Sequence, residues 1–198
     1  MRIRALLTAA VVVPALALTG CTTGPERSSG DSSAPPPAPT SSATRPSLPP
    51  RPLAVPLDEV DPCAVLTADQ RTALSLDSPP NPYVETSFNG AKACSIRSTT
   101  SGNVTRLALV LVSGADVWIS ENAQVEYVIG AIEGFAAITV RTPGIDDVCN
   151  VEVDVAEGQF LDVMFRDGGN SSGAQQDHLC LGAQRVAEAA MASLTQKR

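Results

Sequence analysis

Four cysteines, Cys63, Cys94, Cys149 and Cys180, constrain the fold of this chain more than any other feature. An even number of thiols in an exported domain reads as two disulfides, and four cysteines allow three pairings. Cys63–Cys94 and Cys149–Cys180 are favoured, because each would join a helical segment to a strand nearby in sequence. Each bond would close a loop of about 32 residues, worth roughly 3–4 kcal/mol in the chain-entropy view. A zinc site is the alternative. It lacks C-x-x-C spacing, and His178 is the single histidine. No metal or cofactor is expected.

The compartment is read from the N-terminus. Arg2 and Arg4 precede an apolar run over residues 5–18, followed by Thr19, Gly20 and Cys21. This is the layout of an export signal, with a basic start and small residues at the cut. Its apolar run is shorter than the ~20 residues a membrane-crossing helix needs. Leu18-Thr19-Gly20-Cys21 resembles the lipobox of bacterial lipoproteins, in which the cysteine thiol takes a diacylglyceryl group and becomes the first mature residue. That resemblance implies a signal peptide over 1–20 and lipidation at Cys21. The alternative, an ordinary signal with a chance cysteine, leaves the order Leu, Thr, Gly before Cys21 unexplained. Two acyl chains anchor stably where one would not. The expected location is the extracytoplasmic face of the cell membrane.

Residues 21–56 read as anchor and linker. Proline, serine and threonine dominate, as in Pro35-Pro36-Pro37 and Pro49-Pro50, and large apolar residues are nearly absent before Leu53. Such a stretch cannot bury enough surface to offset the entropy of ordering. It would reach about 30 Å as a coil and about 110 Å as polyproline II. Residues 57–198 then form one domain. The precursor carries a formal charge of −7, with 14 basic against 21 acidic residues, and removing Arg2 and Arg4 makes it more acidic. With no Lys/Arg cluster, nucleic acid is excluded as a partner. Solubility alone accounts for the charge.

Local patterns predict an α+β domain. Asp61-Pro62-Cys63 opens a helical turn, with Asp61 as cap and Pro62 at the first position. Thr67 and Gln70 form a capping box before a short helix expected to bury Ala73 and Leu74. Ser78-Pro79-Pro80-Asn81-Pro82 reads as a loop. Strands are predicted over 93–98 and 104–112 around Ser101-Gly102-Asn103, then over 134–140, 147–155 and 160–165. Leu107, Leu109 and Leu111 share one face of the second strand, and Ala108, Val110 and Val112 the other, the mark of a central strand. Residues 116–130 fit strand or helix equally. In 147–155, Cys149, Val151, Val153 and Val155 point inward, while Asn150, Glu152 and Asp154 point outward. From Gln175, Leu179, Ala183, Val186, Ala190 and Leu194 recur at helical spacing, and Lys197 and Arg198 favour the helix end. The sum is a mainly antiparallel sheet packed by N-terminal short helices and a C-terminal helix, with two disulfides.

Asp61-Pro62-Cys63-Ala64-Val65-Leu66-Thr67-Ala68-Asp69-Gln70 resembles the opening of a family of secreted actinobacterial lipoproteins, domain of unknown function 3558. Gly134-Phe135-Ala136-Ala137, Cys149-Asn150-Val151-Glu152-Val153 and a final helix holding Cys180 follow in that family's order. Cys94-Ser95-Ile96 departs from it, since a tryptophan usually follows that cysteine closely. The resemblance covers nearly all of 57–195 and implies topology and location. It implies no catalytic residue, because the family's activity is uncharacterised.

Candidate chemistry is sparse. His178 would need an acid and a facing serine, and there is no G-x-S-x-G elbow; the serines of the Gly168–Gly173 loop lack a supporting turn. Glu152, Asp154 and Asp162 form an acidic stripe on the last hairpin, read as a solvated face over an acid–base pair or a calcium site. Asp146-Asp147 reads as a turn. Trp118, Tyr127, Phe135 and Phe160 could line an apolar pocket, but with so few aromatics the core needs most of them. The matches to N-x-S/T at Asn103 and Asn170 carry no weight in a bacterial host. The expected function is a lipid-anchored, non-enzymatic interaction or binding module of the cell envelope. Its partner would be an envelope protein or small ligand. The alternatives are a small-molecule or lipid carrier with a pocket under the C-terminal helix, and a hydrolase.

Overall fold

The computed structural model describes residues 46–169 and 175–196. The signal segment, Cys21, Asn170, Ser171, Ser172, Lys197 and Arg198 lie outside the described residues. Seven strands form one sheet: β1 (Asn81–Glu85), β2 (Ala91–Arg97), β3 (Val104–Val110), β4 (Glu126–Ile132), β5 (Phe135–Arg141), β6 (Val148–Ala156) and β7 (Gln159–Arg166). Their spatial order is β1-β2-β3-β7-β6-β5-β4, and every neighbouring pair is antiparallel. Chain-consecutive hairpins supply most of the pairing. The return of β7 beside β3 makes the centre.

The helices begin where their caps predict. Asp61 accepts from the Cys63 amide at 2.9 Å ahead of a 3-10 turn, Pro62–Ala64. Thr67 and Gln70 satisfy each other's backbone amides at the start of α1 (Ala68–Ala73). Gln70 also donates to the Ala189 carbonyl at 2.8 Å and accepts from Ser193 at 2.9 Å. The cap therefore also fastens α1 to the C-terminal helix α2 (Gln176–Gln196). Leu179, Ala183, Val186, Ala190 and Leu194 are buried as their spacing predicts. Ala183, Val186, Ala190 and Leu194 share a core with Leu107, Leu109, Val151, Val153, Leu161 and Val163 on one face of the sheet, while Leu179 packs beside Cys149, Cys180 and Phe165. Cys63–Cys94 ties the first turn to β2, and Cys149–Cys180 ties α2 to β6. The α+β architecture and both pairings are those expected from the sequence.

Several local expectations are corrected. The Ser78–Pro82 stretch is not wholly loop: β1 starts at Asn81 and includes Pro82, tolerated because an edge strand can spare an N–H. Ala73 is exposed and Leu74 half-buried; Leu76, just past α1, takes the buried place. The ambiguous span resolves into a 3-10 turn, Ala115–Ile119, followed by β4.

Packing also begins upstream of Leu57, inside the stretch read as linker. Val55 is buried and donates its amide to the Val155 carbonyl at 2.7 Å. Arg51 reaches both carboxylate oxygens of Asp154 at 2.8 and 2.6 Å. Composition cannot reveal this, because the partner carboxylate lies a hundred residues away. Val55 joins the α2-side core, whereas on the opposite face of the sheet Leu48, Phe88, Trp118 and Val125 pack against Val110, Ile119, Ile138, Val140 and Phe160. Phe88 stands edge-on to Phe160 at 5.7 Å. Both faces of the sheet thus carry a core.

Gly182 shows how closely α2 sits. A Cβ there would meet the Phe165 ring at 2.6 Å. Helix propensity alone favours Gly182→Ala by about 1 kcal/mol. The ring contact reverses the sign: Gly182→Ala is expected to lose about 1–3 kcal/mol of unfolding free energy in urea titration.

Candidate functional site

The face of the sheet opposite α2 carries an unexpected polar centre. Alternation puts Arg106 of β3, Asp162 of β7 and Glu152 and Asn150 of β6 on this side, with Glu152 directly opposite Asp162. Arg106 donates to Asp162 through Nε at 2.8 Å and to Glu85, at the end of β1, through a terminal nitrogen at 2.7 Å. A second terminal nitrogen of Arg106 lies 2.8 Å from the same Asp162 oxygen. The other Asp162 oxygen accepts from Asn150 at 2.7 Å. Glu85 also accepts from the Ser87 hydroxyl at 2.8 Å and from the Tyr83 hydroxyl at 3.2 Å. The Arg106 guanidinium rests over the Phe88 ring, 5.4 Å from its centroid. One cation thus links β3 with β1 and β7, and Asn150 attaches β6 through Asp162.

The protonation pattern follows from burial. Glu152 and Asp162 are both 0% exposed. Burial pushes the Glu152 carboxyl well above the ordinary glutamate range, and the neighbouring Asp162 pushes it further; Arg106 opposes only in part. Neither Glu152 oxygen has a cation or an amide against it among the described residues. Burial also raises Asp162, but Arg106 and Asn150 pull against it. Of the two, Glu152 keeps the proton and Asp162 the charge. Arg106 loses by burial yet is held above its ordinary value by Asp162 first, then by Tyr83 and Glu85. Burial lifts the Tyr83 phenol to about 12. A neutral acid beside a carboxylate is the composition of an acid–base pair. Full burial keeps any substrate atom from reaching it, so its role here is structural.

This corrects the reading of Glu152, Asp154 and Asp162 as a solvated stripe. All three are buried, because this face is partly covered by Leu48, by Arg51 and by the Phe88 and Trp118 segments. They also divide: Asp154 serves Arg51, while Glu152 and Asp162 belong to the Arg106 centre. Arg106, Glu85, Asn150 and Tyr83 were not singled out from the sequence. The available signal was Arg106 itself, a charge inside a strand apolar on both faces.

Other candidates are scattered. His178 is exposed in the first turn of α2, beside Asp177, which pairs with Arg141 at 2.7 Å. Asp147 follows the turn before β6 and lies 3.3 Å from Arg166. Phe135 and Phe160 are core, Trp118 is half-buried, and Tyr127 is 39% exposed on β4. Among the described residues, no cluster of three His, Cys, Asp or Glu side chains is placed to hold a metal. One cavity beside α2 measures about 200 Å³ and is lined by Val128, Gly130, Ala137 and Gln184 among others, and a second of about 390 Å³ lies at the helix's C-terminal end, lined by Val55, Val60, Ala64 and Leu194 among others. Ligand pockets usually span about 300–1,000 Å³. A wider, shallow groove of about 690 Å³ lies at the other end of the polar face, between Tyr83, Ser95, Arg97, Met164 and Arg166.

Residues 16–193 match the sequence model of a family described as Protein of unknown function (DUF3558). The chain belongs to that family. No curated protein matches it, and no solved structure does. The motif order from Asp61 to the C-terminal helix therefore identified the family, and its description carries no activity to transfer.

Two substitutions separate the roles of the paired acids. Below pH 4.5, where Glu152 is neutral in the folded and the unfolded chain alike, Glu152→Gln keeps the shape of the group and is expected to change unfolding free energy by less than about 1 kcal/mol. Asp162→Asn leaves Arg106 without its main counter-charge and is expected to cost about 3–5 kcal/mol. The pH dependence has a definite sign. Because the folded state raises the Glu152 pKa, this contribution is intact below the ordinary value of 4.5 and is lost as pH climbs toward the folded value. Denaturant titrations across pH should show a falling limb that Glu152→Gln flattens.

Proposed function

We propose that the chain is an actinobacterial lipoprotein, held by Cys21 on the extracytoplasmic face of the cell membrane, and acts there as a non-enzymatic interaction module. The N-terminal layout supports anchorage: Arg2, Arg4, a short apolar run, then Leu18-Thr19-Gly20-Cys21. Two disulfides suit an oxidising compartment. No described helix is long and apolar enough to cross a membrane, so the reading places attachment on the acyl chains.

One observation carries the interaction role. The paired ionisable groups are sealed under the polar face, whereas the edge strand β4 exposes three consecutive large apolar side chains. There Tyr127, Val128 and Ile129 are 39%, 69% and 37% exposed. A surface of that kind marks contact with another molecule.

Fractionation with mass spectrometry tests this reading. The native product is expected in the membrane fraction, starting at a diacylglyceryl-modified Cys21, and Cys21→Ala should release it. An unmodified start, or membrane retention of Cys21→Ala, would overturn the anchor. Pull-down from envelope extracts tests the module, and no enriched partner would count against it.

A further inference from the structure

The two edges of the sheet differ. β1 is short and interrupted by Pro82, and its last residue, Glu85, is drawn into the Arg106 centre. These are ordinary ways to blunt an edge. β4 has none of them. Its seven residues, Glu126-Tyr127-Val128-Ile129-Gly130-Ala131-Ile132, contain no proline or lysine, and all but Ile132 are exposed. It pairs with β5 on one side, and among the described residues no strand pairs with its outer side, which leaves that row of backbone donors and acceptors open.

We infer that β4 is a docking edge for an extended segment of another protein, apolar in its middle and carrying Lys or Arg at both ends. The inference rests on the reading of the chain as an interaction module and names the chemistry of its partner. Backbone hydrogen bonds to β4 would supply a new strand, as in β-strand addition. Alternate side chains would enter the groove of about 200 Å³ on the α2 side, floored by Gly130 and Ala137 and walled by Gln184. The remaining ones would lie beside Tyr127 and Ile129. Charge selects the ends. Glu126 opens the strand and Glu133 follows it, and neither has an ion-pair partner among the described residues. Arg141, the cross-strand neighbour of Glu126, is engaged by Asp177 at 2.7 Å. The same acids disfavour a second copy of this chain. Antiparallel pairing of two β4 strands about Ile129 would bring the Glu126 end of one against the Glu133 end of the other.

The probe is a fluorescein-labelled peptide, acetyl-Lys-Val-Thr-Val-Thr-Val-Lys-amide, titrated with the whole chain in detergent at low salt and followed by anisotropy. Saturable binding is expected, about tenfold tighter than for the same peptide with Glu at both ends. In the double variant Glu126→Lys, Glu133→Lys the preference should invert. Both positions are exposed, and the retained disulfides and circular dichroism verify the fold. A second variant, Ile129→Asp, should weaken both peptides. Equal affinity for the two peptides, absence of saturation, or a dimer in sedimentation that Ile129→Asp dissolves would overturn the inference. Partner capture from envelope extracts that survives Ile129→Asp would locate the module's contact elsewhere and leave the interaction reading standing.

Discussion

Arg106 is the residue on which the arrangement of the outer face depends. Its guanidinium links β1 through Glu85 and β7 through Asp162, while Asn150 brings in β6. A buried ion pair of this kind adds little net stability over an apolar replacement, but losing one partner is costly. Its effect is therefore on register. A slip of β7 by one residue would carry Asp162 to the α2 side, where Leu107, Leu161 and Val163 form a dry core. The charge would then be unpaired in hydrocarbon, and the slipped sheet would be strongly disfavoured.

Around that centre the two faces are secured by different means. The α2 side uses close packing, the Gly182 contact with Phe165, and the two disulfides. The opposite side uses aromatic contacts among Phe88, Trp118 and Phe160, and a strap held by Arg51 on Asp154. The strap is short of apolar residues: Arg51 docks on the buried Asp154 of this side, while Val55 and Leu57 pass into the core on the α2 side. Polar groups thus hold together the half of the molecule that lacks a long helix.

Legibility in the sequence followed the range of the interactions. Local signals were read correctly: the Asp61 cap, the Thr67/Gln70 box, the inward alternation of Cys149, Val151, Val153 and Val155, and the α2 stripe. The cysteine pairing was accessible because each bond joins elements close along the chain. The failures were long-range. Glu152, Asp154 and Asp162 read as solvated because alternation says which residues share a face and says nothing about what covers it. Arg51 and Asp154 are 103 residues apart, and Arg106 and Asp162 are 56 apart. Pro82 suppressed a strand that only an edge position permits. The polar centre was missed for the same reason, although Arg106 amid Leu107, Ala108 and Leu109 was a visible anomaly.

Carbon-13 NMR of the side-chain carboxyls, followed over a pH titration, addresses the centre most directly. One glutamate resonance should titrate well above the ordinary glutamate range and disappear in Glu152→Gln, while Asp162 gives up its proton before Glu152 does. Ordinary titration of every glutamate would contradict the account, since Glu152 could ionise normally only if water or a cation reached its buried carboxyl.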